Sequence, residues 1–300
     1  MVYYTLKEGI FMNDYLLRGI AFDNQVRVFA CYTTNTLNHI GQKLGYYPSA
    51  LDAVGRVLSV GVMMGSMLKL EETLTIKVEG NGPIGRIMVD ADAHGNVRAY
   101  AANPHCHFEY NDYRLNAQAT IGNEGIINVI KDLKLKEPFI GTTPIISGGI
   151  AEDFAYYFSV SEQVPTAISL GVLVDVDNTA KVAGGFIIQL LPNTSEEVIT
   201  KLENKLKVLP SMSELLASGY TLEQILDNIA EDVHILDKMP VTFKCNCSKD
   251  RFERGIMSLG KTEIQEIIDQ DGEADTVCHF CNEHYHFSKE ELEQIKELAK

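Results

Sequence analysis

Phe243-Lys244-Cys245-Asn246-Cys247-Ser248 and Cys278-His279-Phe280-Cys281-Asn282-Glu283 hold four of the chain's six cysteines, with residues 248–277 between the two pairs. Two close pairs parted by a few tens of residues is the layout of a tetrahedral metal site. Zinc takes four soft donors at about 2.3 Å, and two short-range pairs supply them with little backbone strain. The spacing predicts one Zn2+ held by Cys245, Cys247, Cys278 and Cys281 in a small module over residues 241–300. Phe280, Tyr285 and Phe287 suit a knuckle hairpin around the second pair. His279, His284 and His286 stand close by, but four thiolates complete a closed shell without them.

The first pair is the unusual one. Ordinary zinc ribbons carry C-x-x-C at both ends, whereas this module begins with C-x-C. Zinc keeps its sulfur ligands as thiolates, the form that oxidants attack. Structural zinc contributes on the order of 10–16 kcal/mol to small metal-folded modules. A module of this length has a marginal core without metal, so oxidation should unfold it and not merely loosen it.

Toward the N-terminus, residues 193–240 read as an amphipathic helical linker. Thr194-x-x-Glu197, Ser211-x-x-Glu214 and Thr221-x-x-Gln224 are capping boxes, each placing a hydroxyl against an N3 amide while Glu or Gln reaches back. After the first, Val198, Leu202, Leu206 and Leu209 keep nearly one face. After the third, Leu222, Ile225, Leu226 and Ile229 follow helical spacing. These short helices have no core of their own and are expected to lie on the preceding domain. They are either a permanent part of its core or a lid whose apolar faces appear when the module melts. Two further boxes, Thr262-x-x-Gln265 and Ser288-x-x-Glu291, start helices within and after the cysteine module.

Residues 12–192 mix the periods of strand and helix, which predicts an α+β core domain. Residues 15–32 read as a hairpin around Asp23-Asn24-Gln25, and strands are expected at 74–78, 85–91, 97–102, 167–174 and 184–191. Helices are expected at 34–44, 49–68 and 151–162. Met63, Met64 and Met67, beside Gly61 and Gly65, read as packing within the domain. Cys31 reads as a buried thiol, and an extended His105-Cys106-His107 sends its histidines to one side and its cysteine to the other. Gly80-Asn81-Gly82-Pro83-Ile84-Gly85 fits G-x-G-x-x-G, but Pro83 and the strand after it read as a turn, without the helix start that a dinucleotide needs. Met12 precedes the first strand, so residues 1–11 read as an upstream start or a cloning remnant.

A chain of 300 residues with 45% hydrophobic content can build two domains and a sizeable core. No secretory signal opens it, and the longest apolar run, 57–68, falls short of the roughly 20 residues that a membrane span needs. Cysteines in that setting point to a reducing, cytoplasmic compartment. The net charge of −15 is concentrated at the C-terminal end, where residues 194–300 carry 22 acidic and 12 basic side chains, a net of −10. That balance disfavours a nucleic-acid-binding zinc ribbon. A thiol–disulfide oxidoreductase on Cys278-x-x-Cys281 would need that pair metal-free and accessible. No P-loop, nucleophile motif or acid/base couple indicates an enzyme.

The cysteine motif, together with Gly80-Asn81-Gly82-Pro83-Ile84-Gly85 and Glu162-Gln163-Val164-Pro165, resembles the redox-regulated 33 kDa heat-shock chaperonin family of bacteria, and the likeness extends over the chain beyond about Asn13. The resemblance implies an ATP-independent holdase with Cys245, Cys247, Cys278 and Cys281 as zinc ligands. In the oxidised form it implies the disulfides Cys245–Cys247 and Cys278–Cys281. The reduced, zinc-bound form would be inactive. Disulfide formation would release zinc, unfold the C-terminal domain and expose surface for unfolding client proteins under oxidative and heat stress. A homodimer on activation and transfer of clients to an ATP-dependent chaperone are also implied. No catalytic residue is expected.

Overall fold

The computed structural model describes residues 13–109 and 115–299, so the reading of residues 1–11 as an upstream start lies outside the described residues. β1 (Tyr15–Ala21) and β2 (Val26–Tyr32) form the expected hairpin, whose turn holds Phe22, Asp23 and Asn24 at positive φ. α1 (Thr34–Leu44) has no side-chain cap at its own N-terminus. The buried Asp14 carboxylate supplies one instead, accepting from the Asn35 and Thr36 amides at 2.9 and 2.6 Å. α2 (Pro48–Gly65) starts on proline and is buried along nearly its whole length. A helix buried all round is a core helix.

Next come β3 (Thr73–Gly80), β4 (Arg86–Asp92), β5 (Asn96–Ala101), α3 (Ala117–Ile121), β6 (Gly125–Asp132) and β7 (Phe139–Pro144). α4 (Ala151–Tyr157) runs on into one π-helical turn, Phe158–Glu162, before β8 (Thr166–Val174) and β9 (Ala180–Leu190). α5 (Glu196–Val208), α6 (Met212–Ala217), α7 (Leu222–Ile229), β10 (His234–Pro240) and β11 (Thr242–Phe243) lead to the cysteines. The last elements are α8 (Lys249–Met257), α9 (Lys261–Gln270), β12 (Ala274–Val277), β13 (His284–Phe287) and α10 (Lys289–Leu298).

Two sheets enclose α2. The first has the order β10-β1-β2-β9-β8 and is antiparallel throughout. The second has the order β11-β5-β4-β3-β6-β7, antiparallel except for the short parallel pairing of β11 with β5. Val57, Leu58 and Met63 of α2 join a single apolar core with Ile76 and Val89 of one sheet and Leu170 and Ile187 of the other. The packing is close: a Cβ on Gly61 would fall 2.6 Å from the Val89 side chain. The far face of the first sheet is covered by α5–α7, whose Val198, Leu202, Leu215, Ile225 and Ile229 pack with Leu17, Val28, Phe186 and Ile188. The cysteine module has its own small cluster of Ile256, Ile264, Ile268, Phe287, Leu292, Ile295 and Ala299.

The structure adds strands that the sequence pattern did not declare. In β6 the apolar doublets Ile126-Ile127 and Val129-Ile130 blur the period of two. β10 shows no buried face, because its side chains lie largely in solvent and its backbone does the pairing. Two caps also shift. Ser195, not Thr194, caps α5, while the Thr194 hydroxyl binds the Gln25 and Leu191 carbonyls at 2.8 and 2.7 Å. α9 starts at Lys261 after Gly260, so Thr262 lies inside its first turn. The Ser211, Thr221 and Ser288 boxes form as expected. Met63, Met64 and Cys31 are buried, Cys106 points inward between exposed His105 and His107, and residues 81–85 are the turn between β3 and β4.

Candidate metal centre

The two cysteine pairs reach the site from separate stretches of the module. Cys245 and Cys247 follow directly on β11, while Cys278 and Cys281 occupy the turn of the β12–β13 hairpin. That turn is closed by its own backbone: the Cys278 amide donates to the Glu283 carbonyl at 2.9 Å, and the Asn282 amide to the Cys278 carbonyl at 2.8 Å. Asn282 takes positive φ there, a conformation that asparagine tolerates better than most residues.

All four Sγ atoms lie within 4.8 Å of one another. Cys245 and Cys278 are 3.7 Å apart, and Cys247 and Cys281 are 3.3 Å apart. A regular tetrahedron with metal–sulfur bonds of about 2.3 Å has edges of about 3.8 Å, so the cluster has the right size for a metal ion. All four are free cysteines. Four soft sulfurs without a carboxylate also suit zinc better than a hard cation. Among the described residues, no histidine or acidic side chain joins this group. His279 packs against the Tyr100 ring, and His286 bonds Asp275 at 3.0 Å.

The crowded sulfurs divide unequally. Burial opposes ionisation of Cys245, but hydrogen bonds from the Cys247 backbone and from the Cys247, Cys281 and Arg98 side chains outweigh it and bring the thiol down to about 7. Burial and the neighbouring sulfurs push Cys281 well above the usual thiol range, and burial also raises Cys278. One proton leaves readily while others are held, a conflict that a divalent cation removes. Tyr285 donates from its hydroxyl to Cys247 Sγ at 3.2 Å, and that bond keeps its phenol protonated.

Two residues of the core domain complete the surroundings. Arg98 of β5 reaches Cys245 Sγ at 3.6 Å, lies 4.1 Å over the Phe280 ring and is anchored by Asp90 at 2.7 Å. Tyr100, two residues on, meets Phe280 edge-on at 5.0 Å. Together they dock the module on the face of the second sheet turned away from α2. Sequence reasoning missed both, since nothing in an alternating strand ties it to cysteines some 147 residues later.

A mixed α/β domain carrying a four-cysteine, metal-competent module on one sheet defines a class of chain whose last fold is organised around a ligand cluster. Within that class the chain belongs to the Hsp33 family, whose model, described as "Hsp33 protein", matches residues 14–288. It is 49% identical over 292 residues to a "33 kDa chaperonin" of Geobacillus kaustophilus, covering 96% of this chain and 99% of that one. The corresponding protein of Bacillus subtilis is 48% identical over 286 residues, covering 95% and 98%. The crystal structure of the 33 kDa chaperonin (heat shock protein 33 homolog) of Thermotoga maritima superposes with a TM-score of 0.89 at 33% identity, covering 96% of this chain and 99% of that one. The resemblance seen in the motifs is thus borne out, and membership supports a chaperone role. No helix among the described residues is long and apolar enough to cross a membrane.

Proposed function

We propose that this chain is a redox-regulated, ATP-independent holdase that binds unfolding proteins under oxidative and heat stress. The observation that carries the reading is the four-sulfur cluster, drawn from separate stretches of a module whose own apolar core is small. In the reduced, inactive protein, Cys245, Cys247, Cys278 and Cys281 hold one Zn2+, which would supply the charge that keeps all four sulfurs as thiolates. Each pair of thiolates then gives two electrons to one peroxide, which takes two protons from solvent, forming a disulfide and two waters.

The resemblance pairs Cys245 with Cys247 and Cys278 with Cys281. Reach does not decide the pairing, since all four sulfurs lie within 4.8 Å. The two pairings differ in consequence. These closures leave the two halves of the module unlinked and without donors, so zinc departs and the module unfolds. Cross-pairing of Cys245 with Cys278 and Cys247 with Cys281 would staple the halves together.

Residues 12–192 form the α+β core domain, 193–240 the amphipathic helical linker and 241–300 the zinc-binding redox switch. The activated chain is a cytoplasmic homodimer that passes clients to an ATP-dependent chaperone. Neither catalysis nor nucleic-acid or membrane binding is assigned to it. The test compares suppression of thermal aggregation by the reduced, zinc-loaded protein and by the peroxide-treated protein, with disulfides mapped by mass spectrometry. Activity in the oxidised form alone, with neighbour-paired disulfides, is expected. Equal activity in both forms, or a cross-paired map, overturns the reading.

A further inference from the structure

Residues 234–247 run as one strap across both sheets. β10 pairs with β1 at the edge of the first sheet, Val241 is buried in the main core, and β11 pairs with β5 at the edge of the second. Cys245 and Cys247 follow at once. Backbone bonds fix the crossing: Val241 N–H to the Asp14 carbonyl at 3.1 Å, Thr242 N–H to Gly95 at 3.0 Å and Lys244 N–H to Val97 at 3.1 Å. The module and β10 are therefore joined through this one short crossing, so loss of the module's fold removes an anchor from the C-terminal side of β10.

β10 covers nearly all of β1 while burying little of itself. Ile235 is 39% and Leu236 64% exposed, and Leu236 has no partner because the register slips between Arg18 and Gly19. Beside the slip the backbones nearly touch: a Cβ on Gly19 would lie 2.7 Å from the His234 carbonyl oxygen. Side-chain ties are few: Met239 packs half-buried against the main core, Arg18 meets Asp237 at 3.2 Å, Lys238 meets Glu223 at 2.8 Å, and the Lys238 ammonium lies 4.3 Å from the Tyr15 ring. Strand addition at a sheet edge takes its affinity from main-chain bonds in this way, with side chains setting only the selectivity. The slip weakens the ladder, which suits a strand that must leave.

β1 is the opposite kind of strand. Leu16 and Leu17 are fully buried and β2 pairs along its other edge, so it stays in place when β10 goes. What remains is a rigid apolar strand with an open row of N–H and C=O groups, a template for another chain.

We propose that the edge of β1 is a client-binding site. β10 fills it in the resting chain, and an extended segment of an unfolding polypeptide replaces β10 there as an added strand. Light side-chain demand lets the site accept many sequences. The proposal rests on the redox reading for what releases β10, but not for what the vacated edge binds.

Residue-resolved amide exchange tests it on the wild-type protein. In the reduced form, the β1 amides that face β10 are protected. After peroxide treatment they exchange roughly tenfold faster or more, and adding reduced, carboxymethylated α-lactalbumin, a permanently unfolded chain, restores their protection. Three results overturn the proposal: the edge stays open in a formed complex, it stays protected in oxidised protein that binds lactalbumin, or it closes on a second copy without client. Ile235→Pro gives the independent arm, because proline removes a donor from β10 and leaves every cysteine in place. The reduced, zinc-loaded variant is expected to show an open edge and to bind lactalbumin without oxidant. An open edge that binds no more lactalbumin than the reduced wild type overturns the proposal. If oxidised wild type binds nothing while Ile235→Pro binds client, the redox reading fails and the site stands.

Discussion

The core around α2 and the cluster under α8–α10 are two solutions to the same problem within one chain. Around α2, two sheets and a helix buried on all sides share one continuous apolar interior. The C-terminal cluster buries seven side chains, Ile256, Ile264, Ile268, Phe287, Leu292, Ile295 and Ala299, with Phe252, Met257, Ile267, Ala274 and Tyr285 half-buried against them. Their cysteines differ in the same sense. Cys31 is fully buried in the first, and burial pushes its thiol up to about 12, out of reach of oxidants. Cys245 in the second is partly exposed and brought down to about 7. The thiol held closest to its ionised form thus lies beside the smaller apolar core, while Cys31, held far from it, lies in the larger.

The sharpest way to break this contrast is to strip the metal. Chelation of the reduced protein should unfold residues 241–299 and leave both sheets standing, since metal contributes on the order of 10–16 kcal/mol to such modules. Loss of helical circular dichroism with retained amide protection in β2 and β9 is expected. Protection persisting at Ile264 and Leu292 would show that the small core stands alone. Next in size is Phe154→Ala, which removes a fully buried ring from the main core and should cost about 3–5 kcal/mol. The main unfolding midpoint should fall while a chelator titration of metal affinity does not move; a parallel loss of affinity would mean that the two regions fold as one.

Arg98→Ala probes the seam between the regions. It removes the stacking on Phe280 and the contact to Cys245 Sγ, together worth about 1–2 kcal/mol. The module should keep its metal but dock less firmly, so disulfides form several-fold faster under peroxide than in wild type. An unchanged rate would remove Arg98 from any part in timing the switch.

How much could be read beforehand follows from the same contrast. The cysteine cluster was legible because ligand spacing is local, and α2 because its small residues and methionines read as a helix packed within the domain, although nothing in the sequence marked its Ser49, Asp52 and Ser59 as buried. The helices α5–α7 declared themselves through caps and stripes, although Ser195 took the capping role from Thr194. Arg98 and Tyr100 were not legible, since their partners are set by tertiary docking and an alternating strand carries no mark of what covers it. β10 escaped for a different reason. A strand held by its backbone, with its side chains in water, writes no period into the sequence.

A smaller effect is expected at the tie between β10 and α7. Glu223 at the start of α7 accepts from Lys238 of β10 at 2.8 Å and from the Tyr15 hydroxyl of β1 at 2.9 Å. Burial alone would raise its carboxyl, but those donors outweigh it and hold the group below the usual glutamate range. A depressed value means that the tie stabilises the folded chain above the ordinary carboxylate pKa and is lost as pH falls through the lowered one. The pair is largely exposed, so it is worth only a few tenths of a kcal/mol to about 1 kcal/mol. Glu223→Gln should therefore speed β10 amide exchange by about twofold to fivefold at neutral pH. After correction for intrinsic rates, wild type and variant should converge in acid, where the wild-type tie has been protonated away. A gap that stays constant from neutral to acid pH would show that the Glu223 carboxylate charge does not hold β10 in place, leaving that work to its backbone pairing with β1 and to ties such as Arg18–Asp237.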